Sequence, residues 1–127
     1  ISGGLIAGIS LLVGGIGIMN VMLASISQRV REIGVRRAIG AKAADIFSQV
    51  LIESILIALI GACIGIFAGV FLLQILIWIA PDQNMPMLTA QSIVLSMIFA
   101  AVSGVLSGLY PAFKAAALDP IVALRYE

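Results

Sequence analysis

Five of the seven basic side chains of this sequence gather in one short stretch, where Arg29, Arg31, Arg36, Arg37 and Lys42 surround a single acid, Glu32. Guanidinium and ammonium groups at that density recognise an anionic surface, and two such surfaces are open to them. One is the lipid headgroup layer, worth roughly 1 kcal/mol per basic residue. The other is a protein partner on the same side of the membrane, for which the stretch would act as a docking knob. Fixing topology and binding headgroups requires neither Glu32 among the arginines nor Gly34 and Gly40, which read as breaks in the local structure. On the residues alone, both readings stand.

Other candidates for chemistry are sparse. Glu53 is the one charge inside a long apolar run. A charge deep in a bilayer costs about 2.5–3.5 kcal/mol on insertion scales. Glu53 is therefore expected to snorkel or to pair with a nearby arginine, the alternative being a coupling contact between the basic stretch and the helices behind it. Asn20 reads as a hydrogen-bonding tie between helices. With no histidine and one cysteine, Cys63, the chain has no intrachain disulfide, cysteine-rich zinc site or histidine acid–base pair. Cys63 is expected to be a small buried apolar residue. No G-x-x-x-x-G-K-[ST] phosphate loop occurs, since Gly40-Ala41-Lys42-Ala43 lacks the Gly-Lys pair and the hydroxyl. Beyond serines, Asn20, Glu53 and Gln74 stand out as polar within the apolar runs, too few for a channel or an intramembrane catalytic pair. Catalytic, cofactor and metal-binding residues are thus expected to be absent.

The elements that must position these residues follow from composition. Of 127 residues, 62% are hydrophobic and 10% charged. A soluble domain carries about a quarter charged residues, and one this small cannot hide so much apolar surface. The excess must face lipid. A bilayer core about 30 Å thick needs about 20 apolar residues as helix, and three runs qualify: Ile1 to Ile26, Ile46 to Ala80 and Met87 to Phe113. Pro81 and Pro86 bracket a turn that contains Asp82, Gln83 and Asn84. The chain starts Ile1-Ser2-Gly3-Gly4 without Met or a basic flank, so the first run does not read as a signal peptide, and the sequence is expected to be the end piece of a longer polypeptide. The net charge of +1 gives no sign of nucleic acid as a partner.

Lys114 and Arg125 in the tail fall on the same membrane side as the basic stretch, and the connector from Ala80 to Met87 has no Lys or Arg. The positive-inside rule then places the basic side in the cytoplasm and the N-terminus outside. Trp78 and Tyr110 fall near opposite ends of their spans, where amphipathic rings prefer the headgroup zone. Residues 27–45 read as a helical elbow. Ile26, Val30 and Ile33 share a stripe with Arg29, Glu32 and Arg36 turned away from it, Gly40 can end the helix, and Asp45 suits the first turn of the next. Small residues recur every four positions at Gly61, Gly65 and Gly69, at Ala100, Gly104, Gly108 and Ala112, and at Gly4 and Gly8. Such seams allow close helix approach in lipid, within this bundle or between two copies.

The run Arg31-Glu32-Ile33-Gly34-Val35-Arg36-Arg37-Ala38-Ile39-Gly40-Ala41 resembles the signature of the MacB/FtsX-like permeases of ABC transporters. Asp45 to Glu53 (DIFSQVLIE) is similar to the same family, as is Tyr110-Pro111-Ala112-Phe113-Lys114-Ala115-Ala116-Ala117-Leu118-Asp119-Pro120 with the closing Ala123-Leu124. Within the tail, Asp119 as N-cap and Pro120 as first helical residue start a short helix. The resemblance implies an all-α integral membrane fold. Three transmembrane helices would carry a cytoplasmic coupling-helix elbow between the first and second (residues 27–45) and a short cytoplasmic helix in the tail (114–127).

The same resemblance implies a function. The chain would be the C-terminal part of a permease coupling ATP hydrolysis to export or extraction of a macrolide-, peptide- or lipoprotein-type substrate on the extracytoplasmic side. Arg31, Glu32, Arg36, Arg37 and Lys42 would contact the ATPase, which would hold ATP and Mg. A first membrane helix and a large extracytoplasmic domain would precede Ile1. Further partners would be a second permease copy or a related permease, membrane lipid, a periplasmic adaptor and an outer-membrane channel. A different function class shares this membrane part: an FtsX-type anchor that regulates an extracellular cell-wall hydrolase.

Overall fold

Each apolar run forms one long helix, because backbone groups in hydrocarbon must satisfy one another within the segment. The computed structural model describes residues 2–79 and 87–125, so the turn from Pro81 to Pro86, with Asp82, Gln83 and Asn84, lies outside the described residues. α1 is Ser2–Gln28, α2 is Val30–Ala38, α3 is Ala43–Ile79, α4 is Ala90–Ala116 and α5 is Pro120–Leu124. No strand occurs among the described residues. α1, α3 and α4 are long and apolar enough to cross a membrane, and at most 17% of the most apolar window of any of them is buried within the chain. Exposed Leu, Ile, Val and Phe side chains such as Leu12, Ile60, Phe71 and Ile98 cover what remains. That surface is far larger than a soluble monomer leaves open; this is a multi-pass membrane protein.

The ends of the helices are built by local chemistry. The chain does not run as one helix into the elbow: the path is interrupted at Arg29, whose N–H is shared between the carbonyls of Ser25 and Ile26 at 3.1 and 3.0 Å. After α2, Gly40 takes φ +107°, the left-handed region that glycine enters without steric cost. The Gly40 N–H then donates to the Arg37 carbonyl and the Ala41 N–H to that of Arg36, the paired bonds of a Schellman cap. Asp45, in the first turn of α3, accepts from the Lys42 N–H at 3.0 Å and so caps that helix. Thr89 and Ser92 form a reciprocal capping box at the start of α4. Asp119 accepts from the Ile121 N–H at 2.9 Å and Pro120 opens α5.

α4 is the centre of the bundle. It packs along α3 over most of its length and against α1 on another side, while α1 and α3 touch little. The α3–α4 contact uses the small-residue seam of α4. A Cβ added at Gly104 would lie 2.8 Å from the Ala58 Cβ and 3.0 Å from the Ile55 Cα, and one at Gly108 would strike the side chain of Ser54. Ser54 is fully buried between them. The other seams are open. Gly4, Gly8, Gly61, Gly65 and Gly69 have nothing within 4 Å of an added Cβ. The last three line a cleft of about 590 Å³ between the spans, opposite Ser10, Gly14 and Ala100.

Two expectations need correction. Cys63 is exposed, because its side of α3 faces away from α1 and α4. Asn20 is also exposed, on the outer surface of α1, and its side chain makes no hydrogen bond among the described residues. A place in an apolar run tells that a residue lies in a span, but not which face of that helix its neighbour covers.

Candidate functional site

The well-packed core of the chain sits at the basic end of the bundle and joins all the long helices to the elbow. Met22 and Ile26 of α1, Ile33 of α2, Ile46 and Val50 of α3, and Ala112 and Ala115 of α4 are buried against one another. Phe47 and Phe113 add a tilted aromatic pair with ring centroids 4.9 Å apart. The stripe of Ile26 and Ile33 thus turns inward and fixes one side of the elbow.

A second side of α2 is held by α5. Gly34 lies mid-helix and is not a break; it is buried where Ala123 presses on α2, so that a Cβ at Gly34 would come 2.5 Å from the Ala123 Cβ. Ala123 is completely buried. Glycine is needed here for close approach rather than for its φ.

A third side faces α3 through long polar side chains. Arg36 Nη1 donates to Gln49 Oε1 at 3.0 Å. Arg29 Nη1 lies 4.0 Å from Glu53 Oε1, an ion pair whose side chains are 56% and 40% exposed. Arg29, Glu32 and Arg36 line a narrow crevice with Gln49 and Glu53, floored by Met22, Ile26 and Val50. These residues therefore do not simply point away from the bundle. The pair also sets the depth of Glu53. Arg29 follows the last residue of α1, so Glu53 sits level with the end of that span. α3 has 37 residues, about 55 Å of helix at 1.5 Å per residue, longer than a 30 Å hydrocarbon core requires.

What remains free on the elbow is narrower than its charge content suggests. Arg37 is half-buried, with Nη1 3.5 Å from the Ala41 carbonyl oxygen. Arg31, Glu32 and Lys42 are exposed, and Arg29–Glu53 is the one ion pair among the described residues. Beside them, Ile39 is 82% exposed, and Val35, Ile121 and Val122 are exposed as well. Apolar side chains ringed by unpaired basic groups, on a helix braced from behind, suit a protein partner. Sequence reasoning missed Gln49, Ser54 and Ala123. The one-turn spacing of Gln49 and Glu53, which puts both on one face of α3, was a usable signal for the first; Ala123 stood only in the closing pair of the resemblance, and nothing in the sequence pointed to Ser54.

Comparison with known proteins agrees with this geometry. Residues 4–120 match the FtsX-like permease C-terminal family. The chain is 48% identical over 126 residues to the macrolide export ATP-binding/permease protein MacB of Bdellovibrio bacteriovorus, covering 96% of this chain and 18% of that protein. It is 49% identical over 125 residues to an ABC transporter permease of Bacillus subtilis, YknZ, covering 98% of this chain and 31% of that one. A MacB protein of Campylobacter jejuni is 45% identical over 122 residues, 19% of its length. The chain thus spans between 18% and 31% of the length of these relatives. With three membrane-length helices, the basic elbow between the first two and a match over almost its full length, the chain belongs to the FtsX-like permease C-terminal family of ABC transporter permeases.

Proposed function

We propose that this chain is the membrane part through which a cytoplasmic ATPase drives an ABC permease, with α2 and α5 as the receiving surface. The observation that carries the reading is the elbow. It offers Arg31, Lys42 and Ile39 outward while its other sides are fixed by the core, by Ala123 and by Gln49. A helix braced on several sides passes a displacement to the spans behind it, whereas a loose loop would absorb it. The basic residues lie at one end of the bundle, which supports a cytoplasmic location for that end and an external N-terminus. ATP and Mg belong to the ATPase, as a subunit or as another domain of the whole protein.

The work done is export or extraction of a substrate on the extracytoplasmic side. Few polar residues lie within the spans, which favours transmission of movement over passage of solute between these helices. The open Gly61, Gly65 and Gly69 cleft suits contact with a further helix, from a second permease copy or a related permease. A periplasmic adaptor and an outer-membrane channel complete the assembly in this reading, and lipid covers the exposed apolar surface. The test is reversal of Arg31 and Lys42 to glutamate in the full-length permease. Insertion should persist, because Arg29, Arg36 and Arg37 still mark the side. Co-purification with the ATPase and permease-stimulated ATP hydrolysis should fall at least tenfold, since reversal adds repulsion as well as removing attraction. Native levels of both would rule out docking at this surface.

A further inference from the structure

Three features of the elbow converge on one face of α3. The helical path is interrupted at Arg29, so the backbone between α1 and α2 lacks the stiffness of an unbroken helix there. The other end of α2 is a glycine turn at Gly40. Between these two pivots, α2 has little direct backbone packing on α3; it meets α3 through Ile33 in the apolar core and through the Arg36–Gln49 bond at 3.0 Å, and at the first pivot Arg29 lies 4.0 Å from Glu53. Gln49 and Glu53 are one helical turn apart and so share a face of α3. Arg29 and Arg36 are two turns apart and share a face of the elbow. The pairing runs antiparallel, the later arginine meeting the earlier α3 residue, as two helices folded back on each other require.

We infer that Gln49 and Glu53 are positioning residues that latch the elbow to α3, so that movement delivered to α2 is carried into α3 and, through the Ser54–Gly104 contact, into α4. Without the latch, α2 keeps its apolar contacts through Ile33 and Gly34 but loses its polar hold on α3, so it tilts more freely about Arg29 and Gly40 and part of its displacement is lost there. This rests on the reading of α2 as the receiving surface. It adds a claim that reading does not contain: the polar residues of α3 set the angle of the elbow, and Glu53 is held at the membrane boundary for that purpose. The arginine fork at Arg36 suits the role because its planar donors fix direction as well as distance.

The experiment places spin labels at Ala38 of α2 and Ile52 of α3, both exposed, in the full-length permease with its cysteines replaced, and measures the distance distribution with and without the ATPase. The native chain should give a narrow distribution. Gln49→Ala with Glu53→Ala should at least double its width. The charge swap Arg29→Glu with Glu53→Arg should return the width to near the native value, whereas Arg29→Glu alone should not. Gln49→Glu, which replaces the amide acceptor of Arg36 by a carboxylate, should leave the distribution as narrow as native. An unchanged width in the double alanine variant overturns the latch, as does a Gln49→Glu variant as broad as the double alanine variant. Co-purification of the ATPase with the native chain is scored separately, so that absence of docking counts against the receiving-surface reading and an insensitive width counts against the latch.

Discussion

The hydroxyl of Ser54 lies 3.0 Å from the carbonyl oxygen of Gly104 and 2.7 Å from that of Leu51, so one buried side chain ties α3 to α4 where their backbones come closest. Burial of apolar area gives little drive for helix association in lipid, which leaves close packing and such hydrogen bonds to hold the spans. Removing the hydroxyl with Ser54→Ala should cost about 0.6–1.7 kcal/mol, the range for interhelical hydrogen bonds in membranes. Denaturation of the reconstituted protein by a denaturing detergent would read it.

Gly108 faces the same serine. An added Cβ would meet the Ser54 Cβ at 2.7 Å as well as its hydroxyl, so Gly108→Ala should destabilise by about 1–3 kcal/mol, as overpacking does. Ser54→Ala should not relieve it, because the Cβ remains, but Ser54→Gly should recover part of the loss. Equal stability of Gly108→Ala and the native chain in the same denaturation series would contradict the contact.

The Gly34–Ala123 contact makes a parallel prediction at the elbow. Gly34→Leu should displace α5, and faster backbone hydrogen exchange in Pro120–Leu124 would report it. Gly34→Ala should be milder and should be corrected by Ala123→Gly, since the clash is between the two Cβ atoms.

Gly65 should behave differently. Nothing in the chain lies within 4 Å of an added Cβ there, so Gly65→Leu should leave the packing of α3 on α4 intact. If the cleft receives another helix, the same change should reduce cross-linked permease pairs several-fold. Normal pairing would show that this seam meets lipid alone.

The proposed orientation, with the basic end in the cytoplasm, predicts that a cysteine at position 84 reacts with a membrane-impermeant reagent applied to intact cells and that one at position 42 does not, in a Cys63→Ser background. The reverse pattern would invert the topology.

The three long helices were legible because lipid enforces a simple rule of length and apolarity, and the runs ending at Ile26 and Phe113 extend in the structure only to Gln28 and Ala116. The Gly40 turn and the Asp119–Pro120 start were legible for a local reason: each depends on backbone chemistry within a few residues. Partners across helices were not. Gly61 and Gly104 carry the same small-residue spacing, yet one faces an open cleft and the other the α3 backbone. Arg36 and Arg37 are neighbours in a basic run, yet one bonds Gln49 and the other turns to Ala41. Those differences are set by how three helices rotate about their axes, which no single helix encodes.

The most direct measurement is site-specific photo-crosslinking of the full-length permease with its ATPase in membranes. A photoreactive residue at Ile39, exposed on the elbow, is compared with one at Ile60, exposed in the middle of α3. The account predicts a permease–ATPase adduct from position 39 that is lost when Arg31 and Lys42 are reversed, and lipid adducts alone from position 60. An elbow at position 39 that yields only lipid adducts, while the ATPase is bound elsewhere on the permease, would contradict it.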